Sequence, residues 1–210
     1  MNTVLIIDHH PIVRESLKQH LTGAFPDCVV DEAADGNAAL RKIWDASYDL
    51  VLLDLSIPGR DGLFILKKIK EIHPSLPVIV LSMLPVDLYG PRVIRAGASA
   101  FIQKTESEEV LLEAVRKAAA GERYISPALA EKIIFDIGLN LDPPPFEKLT
   151  DEEFQILRLL AGGKPAKEIA SEMSLSPDMV HKACSHIKKQ LNQKTTSELI
   201  AYALKQGLLE

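Results

Sequence analysis

The sequence predicts two units: a five-stranded parallel sheet wound by helices on both faces, then an all-helical domain of four helices. Three observations carry this. Short β-branched runs alternate with helical stretches as far as residue 120, the pattern of an α/β layer structure. Three consecutive prolines, Pro143-Pro144-Pro145, then interrupt the chain. From Thr150 onward the apolar spacing is helical only.

Val4-Leu5-Ile6-Ile7 reads as the first strand, and Pro11 to Leu21 as a helix whose proline fits a first-turn position. Cys28 to Ala33 is the second strand. Gly36 to Ser47 is a helix with Ala38, Ala39, Ile43 and Trp44 expected in its buried face. Asp49 to Asp54 is apolar on both faces, as a strand covered from both sides should be. Leu63 to Ile72 is helical, Pro77 to Leu81 the fourth strand, Ala100 to Ile102 a short fifth, and Glu106 to Ala120 an alanine-rich helix. Ser126 to Ile137 forms one more helix, with Ser126 as cap and Pro127 in its first turn. Gly138 to Lys148 is then expected to be an extended, stiff linker.

In the second unit, Thr150 and Glu153 have the spacing of a capping box, and Phe154, Leu157, Leu160 and Ala161 make an apolar stripe that Gly162-Gly163 ends. Pro165 to Met173 is a short helix. The turn Met173-Ser174-Leu175-Ser176 leads to a third helix, capped by Ser176, that buries Val180, Ala183, Cys184, Ile187 and Leu191. Thr196 to Gln206 is the fourth. A short helix, a tight turn and a longer capped helix make a helix-turn-helix. The expected division is 1–122, an extra helix and linker over 123–148, and 149–210.

Composition narrows the function. With 47% hydrophobic and 25% charged residues the chain is an ordinary globular one, not a disordered one. Two distant cysteines, Cys28 and Cys184, exclude a disulfide framework and a four-cysteine zinc module, and both read as packing residues. No apolar run reaches the ~18 residues of a membrane helix, and the first residues lack a basic leader, so a cytoplasmic protein without a membrane partner is expected. The net charge of −5 argues against a wholesale nucleic-acid coat. Residues 149–210 are neutral, with eight Lys/Arg against eight Asp/Glu. There, His181, Lys182, Ser185, Lys188 and Lys189 fall opposite the core face of the third helix, a candidate DNA-contact surface.

In a doubly wound sheet of order 2-1-3-4-5, ligands bind beyond the carboxyl ends of the strands where the order reverses. Asp8 ends the first strand and Asp54 the third; Ser82 ends the fourth and Lys104 follows the fifth. Two carboxylates, a hydroxyl and an ammonium thus converge on one rim. Adjacent carboxylates suit a hard cation such as Mg²⁺, and an Asp beside that cation and a Lys can attack a phosphoryl group.

The stretches Val4-Leu-Ile-Ile-Asp-His-His-Pro11, Leu52-Leu-Asp54-Leu-Ser-Ile-Pro58-Gly59, Val80-Leu-Ser82 and Gly97-Ala-Ser-Ala-Phe101-Ile-Gln-Lys104 resemble a two-component response regulator of the NarL/FixJ class. In the tail the likeness runs from Leu149-Thr150 through Lys167-Glu-Ile-Ala170 to Leu191 and is to a LuxR-type helix-turn-helix. The resemblance implies a flavodoxin-like receiver that is not a turnover enzyme. It implies Asp54 as phosphoacceptor from a sensor histidine kinase, and a Mg²⁺ site of Asp8, Asp54 and the Ser56 carbonyl. It further implies Ser82, Phe101 and Lys104 as the switch, and an active homodimer on double-stranded DNA.

Departures from the family pattern matter. An acidic pair is expected at the end of the first strand, and here it is Asp8-His9. His9 removes one negative charge and offers a nitrogen, which Mg²⁺ uses poorly and Zn²⁺ or Ni²⁺ uses well. Either Mg²⁺ binds weakly and phosphorylation is slow, or the domain switches without phosphorylation. On the third helix the family's Lys and His are His181 and Ala183, and its Thr-Arg-Glu start reads Asp151-Glu152-Glu153. Lost cations weaken phosphate contacts, which leaves a protein-interaction module with weakened DNA binding as a further alternative. A phosphohydrolase of the Asp-x-Asp type is excluded, since neither Asp8-His9-His10 nor Asp54-Leu55-Ser56 supplies that motif.

Overall fold

The computed structural model describes residues 2–57, 61–138, 144–173 and 175–208. Pro58 and Gly59 of the loop after Asp54, Pro143, and Ser174 of the expected turn lie outside the described residues. The chain divides into two compact units, Met1–Ile133 and Ile134–Glu210.

In the first unit the elements run β1 (Thr3–Ile7), α1 (Pro11–Ala24), β2 (Val29–Ala33), α2 (Gly36–Asp45), β3 (Leu50–Asp54), α3 (Gly62–Ile72), β4 (Val78–Ser82), α4 (Val86–Arg95), β5 (Ala100–Gln103) and α5 (Glu108–Ala119), and α6 (Pro127–Gly138) begins there and runs past the boundary. The described strands pair in parallel in the order β2-β1-β3-β4-β5. β3 and β4 are buried at all five positions, because helices cover both faces of the sheet. One core cluster gathers Ile6, Leu21, Leu52, Ile79, Ile102 and Val115 from the sheet, α1 and α5.

Local chemistry explains several boundaries. Asp35 accepts from the Ala38 amide and opens α2 as an N-cap; Asp61 does the same for α3 from Leu63. Ser126 Oγ accepts from the Leu129 amide at 3.3 Å, the expected cap of α6. α1 continues to Ala24, one turn past Leu21.

Three expectations need correction. Trp44 is 76% exposed: the buried face of α2 is Gly36, Ala39 and Ile43, and Trp44 lies about 100° round the helix from Ile43. α4 was not foreseen, because Gly90 and Pro91 interrupt its pattern. Gly90 is there because Leu129 packs onto it, 2.7 Å from where a Cβ would stand. The end of the expected linker is one 3₁₀ turn, Pro145–Lys148, which buries Phe146. Its proline occupies a first-turn position, where a missing amide costs nothing.

The second unit adds α7 (Asp151–Ala161), α8 (Ala166–Glu172), α9 (Pro177–Gln190) and α10 (Thr196–Lys205). Thr150 and Glu153 form the capping box in full, and Thr195 with Glu198 forms a second on α10. Gly163, at φ +83°, closes α7, its amide donating to the Leu160 carbonyl. Leu157, Ile169, Val180, Ile187 and Leu199 are buried together with Phe146, while Ala183 is only half-buried.

Candidate phosphoacceptor pocket and helix-turn-helix

Parallel pairing sets the site. Ile7 lies opposite Leu53, so Asp8, just past β1, and Asp54, the last residue of β3, reach the same level. Asp54 lies opposite Leu81, and Ser82 opposite Gln103, which brings Ser82 and then Lys104 to the same end of the sheet. This is where the order passes from β2-β1 to β1-β3, the reversal point at which such sheets bind ligands.

Asp8 and Asp54 are 1% and 2% exposed, and two buried carboxylates require compensation. Lys104 supplies it: its Nζ donates to Asp8 Oδ2 at 2.6 Å and stands 3.0 Å from Asp54 Oδ2, an ion pair out of hydrogen-bond alignment. The remaining oxygens have backbone donors. The His10 amide donates to Asp8 Oδ1 at 2.8 Å and the Ser56 amide to Asp54 Oδ1 at 3.0 Å. Arg14 binds the Asp8 carbonyl at 2.8 Å and Glu32 at 3.0 Å, fixing the chain as it leaves β1. Gly62 closes the floor, donating its amide to the Leu55 carbonyl; a Cβ there would lie 2.5 Å from both the Asp54 carbonyl oxygen and Leu55 Cα.

His9 turns its ring into this pocket. Its Nδ1 is 3.5 Å from Asp54 Oδ2, and both atoms are buried without a hydrogen-bond partner. His10 Nδ1 is 3.3 Å from Asp8 Oδ1, and the two imidazoles lie 3.6 Å apart between centroids. Ligand atoms of Asp8, His9, His10 and Asp54 all fall within 4.8 Å of one another, a mixed acid–imidazole cluster that can hold a metal ion. The carboxylates fit a divalent cation; the nitrogen of His9 does not complete the all-oxygen set that Mg²⁺ takes.

Of the other predicted residues, Ser82 is fully buried, and its Oγ accepts from the Leu84 amide at 3.1 Å. The Lys104 amide donates to the Ser82 carbonyl, which ties the two strand ends together. Phe101 is buried, inside the sheet. Ser56 is half-buried, with its amide on Asp54. Arg14 and His10 as supports of Asp8 were missed by sequence reasoning; only their nearness to Asp8 along the chain pointed to them.

In the second unit, α8 and α9 form the helix-turn-helix, α9 opened by the Ser176 hydroxyl on the Met179 amide. His181, Lys182, Ser185 and Lys189 are exposed on α9 and Lys188 is half-buried. Two of these are engaged along the helix: His181 Nδ1 on the Pro177 carbonyl, and Ser185 Oγ donating to the His181 carbonyl. A second missed feature is the pair of Glu153, buried at the start of α7, with His186 of α9. Burial alone would raise the Glu153 pKa, but the Thr150 amide and His186 outweigh it and hold the carboxyl below its ordinary value. Burial pushes the thiols of Cys28 and Cys184 up, which fits inert packing groups.

Comparison with known families agrees with this geometry. Residues 4–116 match the response regulator receiver domain, and 147–203 match the bacterial regulatory proteins of the luxR family. The chain belongs to the DNA-binding response regulators of the NarL/FixJ class, with a receiver domain joined to a LuxR-type helix-turn-helix. Among its relatives, the oxygen regulatory protein NreC of Staphylococcus carnosus is 35% identical over 214 residues, 99% of each chain. NreC of Staphylococcus epidermidis is 34% identical over 215 residues, with the same coverage. A LuxR-family two-component response regulator from Aurantimonas sp. SI85-9A1 has a TM-score of 0.59 at 29% identity, over 65% of this chain and 97% of that one. RcsB from Salmonella enterica serovar Typhimurium, bound to promoter rprA in the presence of phosphomimetic BeF₃⁻, shares the fold: TM-score 0.71, 23% identity, 95% and 96% of the two chains. No helix among the described residues is long and apolar enough to cross a membrane.

Proposed function

We propose that Asp54 accepts a phosphoryl group from a sensor histidine kinase, and that the phosphorylated receiver forms a homodimer that engages double-stranded DNA from the cytoplasm. The receiver is assigned to 1–122, the connecting helix and linker to 123–148, and the DNA-binding domain to 149–210. One observation supports this above the others: a buried carboxylate, Asp54, sits within 3.0 Å of a Lys ammonium that also holds Asp8. In the transfer, an Asp54 oxygen forms a bond to phosphorus as the phosphorus–nitrogen bond of the donor histidine breaks. Lys104 offsets the added charge, and the Ser82 hydroxyl and Phe101 carry the change outward as two states of the β4–α4 and β5 region. Asp8, Asp54 and the Ser56 carbonyl would hold Mg²⁺, which when bound neutralises phosphoryl oxygens; His9 leaves that site one acid short. Water later cleaves the acyl phosphate, returning the Asp54 carboxylate and releasing inorganic phosphate; the modified chain itself, and not a released product, is the output.

On the DNA side, Lys182, Lys188 and Lys189, with His181 and Ser185, would meet one major groove, and the partner copy of α9 the next. The test is intact-mass spectrometry after acetyl phosphate, with and without Mg²⁺, with Asp54→Ala as control, followed by a sizing column. One Mg²⁺-dependent phosphoryl increment that Asp54→Ala abolishes, with a shift to dimer, is expected. No increment, restored by His9→Asp, would retire the receiver from phosphotransfer.

A further inference from the structure

His9 does more than subtract a charge. A buried imidazole nitrogen and a buried carboxylate oxygen that face each other at 3.5 Å, neither with a hydrogen-bond partner, are uncommon in folded proteins. Two ligands that each lie about 2.0–2.1 Å from one tetrahedral ion stand about 3.4 Å apart. The His9–Asp54 separation is 3.5 Å and the His10–Asp8 separation 3.3 Å, so both pairs match the edge of that tetrahedron. The four ligand atoms span no more than 4.8 Å, so small side-chain movements bring them onto one centre.

The geometry points to a site for a nitrogen-accepting divalent cation of the Zn²⁺ kind, held by His9, Asp54, Asp8 and His10. This rests on reading Asp8 and Asp54 as cation-binding carboxylates, and it names the cation. The donor set is two nitrogens and two oxygens, which suits Zn²⁺ or its neighbours in the first row and not Mg²⁺. Lys104 can keep the Oδ2 atom of Asp8, while Oδ1 is the atom beside His10; its Nζ also stands 3.0 Å from Asp54 Oδ2, and the entering ion displaces the ammonium from that oxygen. The second oxygen of Asp54, Oδ1, is kept on the Ser56 amide and leaves Oδ2 as the ligand. Four protein ligands fill a tetrahedral ion and leave no position for a phosphoryl oxygen, whereas octahedral Mg²⁺ on Asp8 and Asp54 keeps several. A Zn²⁺-loaded receiver is therefore resistant to phosphorylation, and metal availability and kinase input compete for one carboxylate.

Isothermal titration of the full chain with Zn²⁺ and, separately, with Mg²⁺ tests this, using wild type, His9→Gln, His9→Asp and Asp54→Asn. The expected result is a Zn²⁺ site of one ion per chain, on the order of a hundredfold tighter than Mg²⁺. His9→Gln and Asp54→Asn should remove it. His9→Asp should weaken Zn²⁺ and tighten Mg²⁺, each on the order of tenfold. Wild type and His9→Asp are also exposed to acetyl phosphate with Mg²⁺, with and without one equivalent of Zn²⁺, and weighed. Zn²⁺ binding that survives His9→Gln would place the ion on surface pairs such as His20–Glu108 and overturn the inference. Absence of a tight site would overturn it too, and a Mg²⁺-dependent phosphoryl increment in the same samples would show that Asp54 phosphorylation stands without it.

Discussion

Alanine at Gly62 should cost the receiver stability even though it removes a glycine from a helix. The β3–α3 connection brings Gly62 back against the chain it has just left. An added Cβ would lie 2.5 Å from the Asp54 carbonyl oxygen, 2.5 Å from Leu55 Cα and 2.9 Å from the Leu55 carbonyl oxygen, where ordinary contact begins at 3.4 Å. All three are backbone atoms, so no rotamer change relieves the overlap. Overpacking of this kind costs about 1–3 kcal/mol, and more where backbone must shift. Against it stands the helix-propensity gain of about 1 kcal/mol for Gly→Ala, reduced here because Gly62 is the first residue of α3. The clash wins, and a net loss of about 1–3 kcal/mol is expected, or roughly 4 °C of Tm per kcal/mol. Relief by moving the loop would also disturb the Gly62–Leu55 bond and Asp54 beside it. Calorimetry and urea unfolding followed by circular dichroism would measure the loss, with Gly23→Ala as a control site that has nothing within 4 Å of its Cβ. A Gly62→Ala chain as stable as wild type would refute the packing argument.

Lys104→Met should destabilise the receiver by about 3–5 kcal/mol, because it strands two buried carboxylates; urea unfolding reads it, and a loss below 1 kcal/mol would mean the pair is not compensated by Lys104. Glu153→Gln should destabilise the second unit by about 1–2 kcal/mol at neutral pH. Because the Glu153 pKa is lowered on folding, its contribution is present above the unfolded value of about 4.3 and fades as the pH falls through the folded one. Wild type and Glu153→Gln should therefore converge in acid-side unfolding curves and differ above about pH 5; a constant difference at every pH contradicts the assignment. Lys188→Ala with Lys189→Ala should weaken duplex binding and flatten the slope of log K against log salt by about 1.8, read by fluorescence anisotropy across a salt series. An unchanged slope would move those lysines off the phosphates.

The alternating strands were legible because β3 and β4 are buried on both faces, so every residue from Leu50 to Leu53 had to be apolar. Capping was equally plain at Thr150 and Ser176, since a hydroxyl's reach to the next amides is a local property. α4 was not legible. Its Gly90 and Pro91 look like breakers in one dimension, and Gly90 makes sense only against Leu129, a contact 39 residues away in the sequence. Trp44 misled for a related reason: hydrophobicity says a tryptophan belongs inside, but the helical angle set by Ala39 and Ile43 turns it to water. At the pocket, Asp8, Asp54 and Lys104 could be brought together from topology alone. That His9 faces Asp54 rather than solvent depends on how the ring rotates beyond β1, which residue order does not encode.

The bond from the Leu84 amide to Ser82 Oγ bears on how this protein should be dissected. Leu84 is fully buried, so truncating Ser82 to alanine would deprive a solvent-inaccessible donor of its acceptor, at a cost of about 1–3 kcal/mol. An alanine phenotype would then mix two losses, the hydroxyl's chemistry and the anchorage of the loop toward α4. Threonine keeps the acceptor and adds only a methyl, so the contrast between threonine and alanine, not alanine alone, separates signalling from scaffolding at this position.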